Sequence, residues 1–166
     1  MIPTRVATVL LAMLGAAGSA SCIDPIHTDN VTALGGEASG VREGPTHRPG
    51  QPCLTCHGGS GPGSPEFSVA GTVYAVRGGA QAVEGVSVVL TDANKETRTL
   101  VSNEVGNFYI EASRWAPATP MRVELQYGGK AKVMKSLIGG NGTCAFCHYG
   151  ADNEATHMPP VFMSDQ

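Results

Sequence analysis

The sequence predicts a mainly β protein: a small antiparallel β-sandwich flanked by two loop-rich segments. Three observations carry that prediction. Between Phe67 and Leu137, short runs rich in Val, Thr and Tyr recur with period two and are broken by turn residues at intervals typical of sandwiches. Glycine and proline cluster before that stretch, as in GGEASG (Gly35 to Gly40), REGPTHRPG (Arg42 to Gly50) and GGSGPGSPE (Gly58 to Glu66). Four of the five cysteines form two close pairs, one on each side of the β-rich stretch.

The first element, residues 1–21, reads as a secretory signal peptide. Arg5 is followed by the apolar run Val6 to Ala17 and then by the small residues Gly18, Ser19, Ala20 and Ser21. The apolar run is shorter than the roughly 20 residues that a bilayer-spanning helix needs, and no later segment is continuously apolar, so no transmembrane helix is expected. Cys22 directly after the small residues resembles a bacterial lipoprotein site, at which the cysteine is lipidated and anchors the chain. Such sites usually carry Leu where Ser19 stands, so ordinary cleavage after Ala20 is the alternative. The chain is therefore expected to be exported, to the periplasm or as an outer-membrane or cell-surface lipoprotein.

Residues 22–52 show no sustained periodicity and read as a flexible tether, with ordered structure expected from about Phe67. Residues 53–66 hold the first cysteine pair. Residues 67–138 contain six candidate strands: Val69 to Val76, Val86 to Asp92, Glu96 to Ser102, Asn107 to Ala112, Met121 to Tyr127 and Ala131 to Leu137. The fifth alternates, with Met121, Val123, Leu125 and Tyr127 on one face and Arg122, Glu124 and Gln126 on the other. Asp92 to Lys95 reads as a hairpin turn, and Gly106 as a chain reversal before NFYI. Residues 139–166 hold the second pair.

The chemistry lies in the pairs. Cys53-Leu54-Thr55-Cys56-His57 and Cys144-Ala145-Phe146-Cys147-His148 both match Cys-x-x-Cys-His, the attachment signature of c-type heme. Two cysteines at this spacing can each form a thioether with a heme vinyl group, and the adjacent histidine then offers its imidazole to the iron. The cofactor expectation is two heme c groups bound through Cys53, Cys56, Cys144 and Cys147, with His57 and His148 as proximal iron ligands. The competing readings are one four-cysteine zinc site and redox-active thiols. The pairs stand 144 − 56 = 88 positions apart, whereas a zinc ribbon joins its pairs by a short loop, and zinc needs no histidine after each pair. Thiol redox chemistry lacks its βαβ context.

For the remaining iron positions the sequence offers His47, six before Cys53, and His157, nine after His148, with Met158 and Met163 as the alternative. His27, in the tether, is the poorest candidate. Two spare histidines for two irons is the simpler allocation, which leaves the methionines as apolar packing.

The pattern AGTVY, EGVSVVLTD and TLVSNEVGNFYI resembles the carboxypeptidase regulatory-like domain, a transthyretin-like, non-catalytic sandwich. The resemblance implies a rigid spacer, with Trp115, Tyr109 and the strand threonines serving as core and surface. A heme motif on each side of such a sandwich resembles diheme cytochromes of metal-respiring and soil bacteria. That implies an electron-transfer protein and not an enzyme, with redox proteins and other multiheme cytochromes as partners, or a homo-oligomer if the chain is a repeating unit. A diheme peroxidase, a heme-based sensor and ligand binding by the sandwich are the other classes. A formal net charge of −3 and 15% charged residues supply no basic stripe, so nucleic acid is not an expected partner.

Overall fold

The computed structural model describes residues 24–79, 81–148 and 158–164. The expected signal segment, Cys22 and His157 lie outside them. The chain is mainly β with antiparallel sheets. In order, helix α1 (Pro25–Ala33) and helix α2 (Cys53–His57) precede strands β1 (Phe67–Thr72), β2 (Tyr74–Val76), β3 (Ser87–Thr91), β4 (Thr97–Val101), β5 (Asn107–Glu111), β6 (Arg122–Tyr127) and β7 (Lys130–Val133). A 3-10 turn at Cys144–Phe146 and strand β8 (Phe162–Ser164) follow. No helix among the described residues is long and apolar enough to cross a membrane.

Four strands form one antiparallel sheet in the order β4-β3-β6-β7. Its register places Val88 opposite Leu125 and Leu90 opposite Val123, so the apolar residues of two neighbouring strands line one face. These four meet Val69 and Val73 from the chain of β1 and Phe108 from β5, together with Val86, Trp115 and Met121, in a single core. Each such side chain taken from water contributes about 1.5–3 kcal/mol. β1 pairs with β5 in a separate antiparallel ribbon, and β2 pairs with β8 in parallel.

The expected hairpin after β3 is present, and Asp92 closes it. Its Oδ1 accepts from the Glu96 amide (2.9 Å) and its Oδ2 from the Ala118 amide (3.1 Å), while Lys95 takes the left-handed φ of 67°. Gly106, at φ 77°, makes the reversal before β5. A Cβ there would collide with the Val73 carbonyl.

Four features differ from the reading of the sequence. The run Val69 to Val76 divides at the buried Val73, because its first half pairs with β5 and its second with β8. Tyr127, at the end of β6, is 47% exposed, so the inward alternation stops at Leu125. The C-terminal segment returns to the sheets as β8, with Val161 and Met163 packed on the core. Finally, the stretch read as a tether holds α1 and is stitched to the strands. Asp24 caps α1 by accepting from the Ile26 and His27 amides, with Pro25 at the first helical position. Further on, the Asn107 side-chain amide donates to the carbonyls of Pro45 (3.2 Å) and His47 (2.9 Å), and the Gly50 amide donates to Thr72 Oγ1 (2.8 Å).

Candidate heme-binding site

The first motif forms one short helix whose residues after His57 fold back over it. The Gly58 amide donates to the Leu54 carbonyl (2.8 Å) and the Gly63 amide to the Cys56 carbonyl (2.8 Å). Side chains would obstruct that wrap. A Cβ on Gly61 would collide with the Cys56 carbonyl oxygen, and one on Gly63 would meet the His57 ring at 2.9 Å. The returning loop brings the Pro65 carbonyl to 2.8 Å from His57 Nδ1. The ring is further held by stacking on Phe67, centroid to centroid 4.4 Å, and Phe67 stacks in turn on Tyr109 at 4.5 Å.

The second motif lies on the 3-10 turn and is seated against β1. The Ala70 amide donates to the Gly142 carbonyl (3.1 Å), and Thr143 bridges Ala70 in parallel. Gly71 makes room for the first cysteine of this pair, since a Cβ there would meet Cys144 Cβ and Sγ at 2.8 Å. The His148 amide donates to the Cys144 carbonyl (2.9 Å), and Pro159 brings its carbonyl to 2.7 Å from His148 Nδ1.

The two histidines thus share one arrangement on different supports. A carbonyl oxygen only accepts, so in each ring Nδ1 carries the hydrogen and Nε2 keeps its lone pair. This fixes tautomer and orientation, as second-shell partners do for metal-binding histidines.

All four paired cysteines are free thiols. Burial pushes the Cys53 thiol up to about 11, with the charge of Cys56 adding to the shift. Burial pushes Cys144 up to about 12, and the charges of Cys53 and Cys147 add to it, so the two motifs are electrostatic neighbours. Both also pack against β1. A cleft of about 250 Å³ runs between Gly50 and Gln51, just before the first motif, and Cys144, His148 and Val161 of the second. Among the described residues no three His, Cys, Asp or Glu side chains converge on one metal-ion position.

His47 comes close to the first motif. Its ring centroid lies 5.8 Å from that of His57, with 60° between the planes. The two histidine rings are thus edge-to-face neighbours, near enough for both to line one cofactor position. His47 Nδ1 faces Glu37 Oε1 at 3.4 Å, and the same oxygen accepts from Arg48 Nε at 2.6 Å. The Arg48 guanidinium, together with the charge of His47, holds the Glu37 carboxyl below the usual carboxylate range despite its desolvation.

The other candidates stand apart. Met158 is 45% exposed, and its amide donates to the Cys147 carbonyl (3.0 Å), whereas Met163 packs on the core. His27 sits on α1, which packs against α2, and its Nε2 is buried without a hydrogen-bond partner. Reading the sequence missed the Pro65 and Pro159 carbonyls, the glycine wrap and Glu37. The only advance sign of the first two was a proline shortly after each motif.

No protein-family model, curated protein or solved structure matches this chain.

Proposed function

We propose that the chain is a diheme c-type cytochrome, a protein that relays electrons through two covalently attached hemes. In particular, we read it as an exported lipoprotein of this class, anchored at Cys22, in which a regulatory-like β-sandwich separates the two attachment segments along the sequence. The observation that carries the reading is the repeated histidine arrangement: in both motifs the ring donates Nδ1–H to a proline carbonyl and keeps Nε2 free for iron. The sandwich reading rests on the single core to which both antiparallel sheets contribute.

When bound, heme iron supplies a one-electron couple with no atom transferred. The chain's own residues would do the rest. Cys53, Cys56, Cys144 and Cys147 hold the groups covalently, and His57 and His148 bind the irons from rings whose rotation is already restricted. His47 would supply the second ligand at the first iron, and His157 would do so at the second. A closed shell of two neutral imidazoles suits both oxidation states and keeps small molecules off the metal, which favours electron transfer over peroxidase chemistry. Packing of both motifs on β1 holds them side by side.

Absorption and EPR spectra of protein matured in a host with c-type heme assembly test this. Two low-spin hemes with bis-imidazole signals are expected. A stable high-spin or five-coordinate iron in the native protein would contradict the relay and point to the enzyme or sensor classes.

A further inference from the structure

The backbone that carries His47 is pinned, and its ring lies between His57 and Glu37. The Pro45 carbonyl accepts from Asn103 (2.7 Å) and Asn107 (3.2 Å), and the His47 carbonyl accepts from Asn107 (2.9 Å), so the sheets set where the Cα sits. The ring Nδ1 is buried and makes no hydrogen bond, but a charged neighbour stands beside it. That neighbour is Glu37, ten positions earlier, whose Oε1 lies 3.4 Å away. Both side chains are about three-quarters buried.

Arg48 holds Glu37 in turn. It adopts the left-handed φ of 49°, a conformation that costs a residue with a side chain about 1–2 kcal/mol. It is kept there by its guanidinium, which donates to Glu37 Oε1 (2.6 Å), Gln51 Oε1 (2.9 Å) and the carbonyls of Leu34 (3.3 Å) and Gly35 (2.6 Å). The Glu37 carboxylate that Arg48 holds is the charged group beside a buried ring nitrogen that makes no hydrogen bond of its own, a placement suited to supporting a ligand. The opposite nitrogen of His47 is then the one left for the metal.

We infer that Glu37 is a positioning residue that orients His47 toward the first heme iron, with Arg48 fixing its carboxylate. This rests on the diheme reading and extends it, because it makes the two irons unequal. A carboxylate partner raises the basicity of its imidazole. The first iron should therefore favour the ferric state more than it would with an unsupported His47.

The test uses the full-length, heme-loaded protein and the variants Glu37→Ala, Glu37→Gln, His47→Ala and the double variant Glu37→Ala/His47→Ala. Covalent heme is counted by denaturing intact mass, ligation is read by EPR, and each potential by redox titration. Glu37→Ala should keep both hemes and change the low-spin signal of one. It should raise that heme's potential by about 59 mV, the one-electron equivalent of a tenfold loss of ferric preference. Glu37→Gln keeps an acceptor but not the charge and should fall between. On the His47→Ala background, removing Glu37 should change nothing further.

The inference is overturned if Glu37→Ala leaves both potentials unchanged, or shifts one equally whether or not His47 is present. Loss of a heme in both Glu37→Ala and Glu37→Gln would also overturn it, by showing a folding role instead. Failure of the underlying reading looks different: wild-type protein without two covalent hemes, or His47→Ala with both low-spin signals intact.

Discussion

The first motif stands on a helix that packs on β1, but the groups around its histidine come mainly from the adjoining chain: Pro65 eight residues after His57, Gly61 and Gly63 in the wrap between, and His47 ten residues before. The second stands on a 3-10 turn set into contacts from far away in sequence. Gly71 and Ala70 belong to β1, more than 70 residues earlier, and Cys144 packs against the core itself. One signature is thus served by a local loop in one place and by the body of the fold in the other. The difference predicts that damage around the first motif should spread less into the fold than damage around the second.

Paired glycine variants test that contrast where the effect should be greatest. In Gly71→Ala the added methyl would meet Cys144 Cβ, Cys144 Sγ and Phe108 Cζ, each at 2.8 Å, which overpacks the core. A loss of about 1–3 kcal/mol in denaturant unfolding is expected. Gly61→Ala drives a methyl into the Cys56 backbone carbonyl, but the strain falls on a loop outside the core, so it should cost less global stability than Gly71→Ala while releasing the Pro65 contact, read as a disturbed signal from one heme only. Equal destabilisation by the two would erase the distinction.

His47→Ala comes next. One of the two low-spin EPR signals should become high-spin, with the folded stability changed by less than in Gly71→Ala. If both signals move, the irons share the ligand environment more than the geometry around His57 implies.

Alkaline pH sharpens the contrast in the chain before heme attachment. Burial raises the folded pKa of Cys144 to about 12 and of Cys53 to about 11, against about 8.5 for an unfolded thiol. A raised folded pKa means that the folded chain retains protons the unfolded chain releases. The associated stability is full below about pH 8.5 and is lost as pH rises toward 11–12. The urea midpoint of unloaded protein should fall across that window, and Cys144→Ala should flatten the fall more than Cys147→Ala, whose thiol is exposed.

The smallest expected effect is that of Met158→Ala. Its half-exposed side chain should be dispensable, leaving both low-spin signals in place. Loss of a weak red charge-transfer band in this variant would instead make the methionine an iron ligand.

What could be read in advance follows from the physical origin of each feature. Val123 and Leu125 announced their face because period two is written in residue types, and Asp92 its turn because its carboxylate caps the chain locally. Helix α1 has no apolar stripe; only Asp24-Pro25 at its start marks it, so composition favoured a tether. Strand β8 is three residues long and exists through its parallel pairing with β2, which no local pattern encodes. At the site, cysteine and histidine are legible because chemistry demands those residue types. The Pro65 and Pro159 acceptors are backbone atoms that any residue could supply, and Glu37 meets His47 only through the turn that Arg48 holds.

On the proposed function, each Cys-x-x-Cys-His carries a covalent heme. The denaturing intact mass of protein purified from a host with c-type maturation tests it most directly. Two heme additions on the polypeptide are predicted, falling to one in Cys53→Ser/Cys56→Ser and to one in Cys144→Ser/Cys147→Ser. An unmodified polypeptide mass, with zinc released on denaturation, would contradict the account.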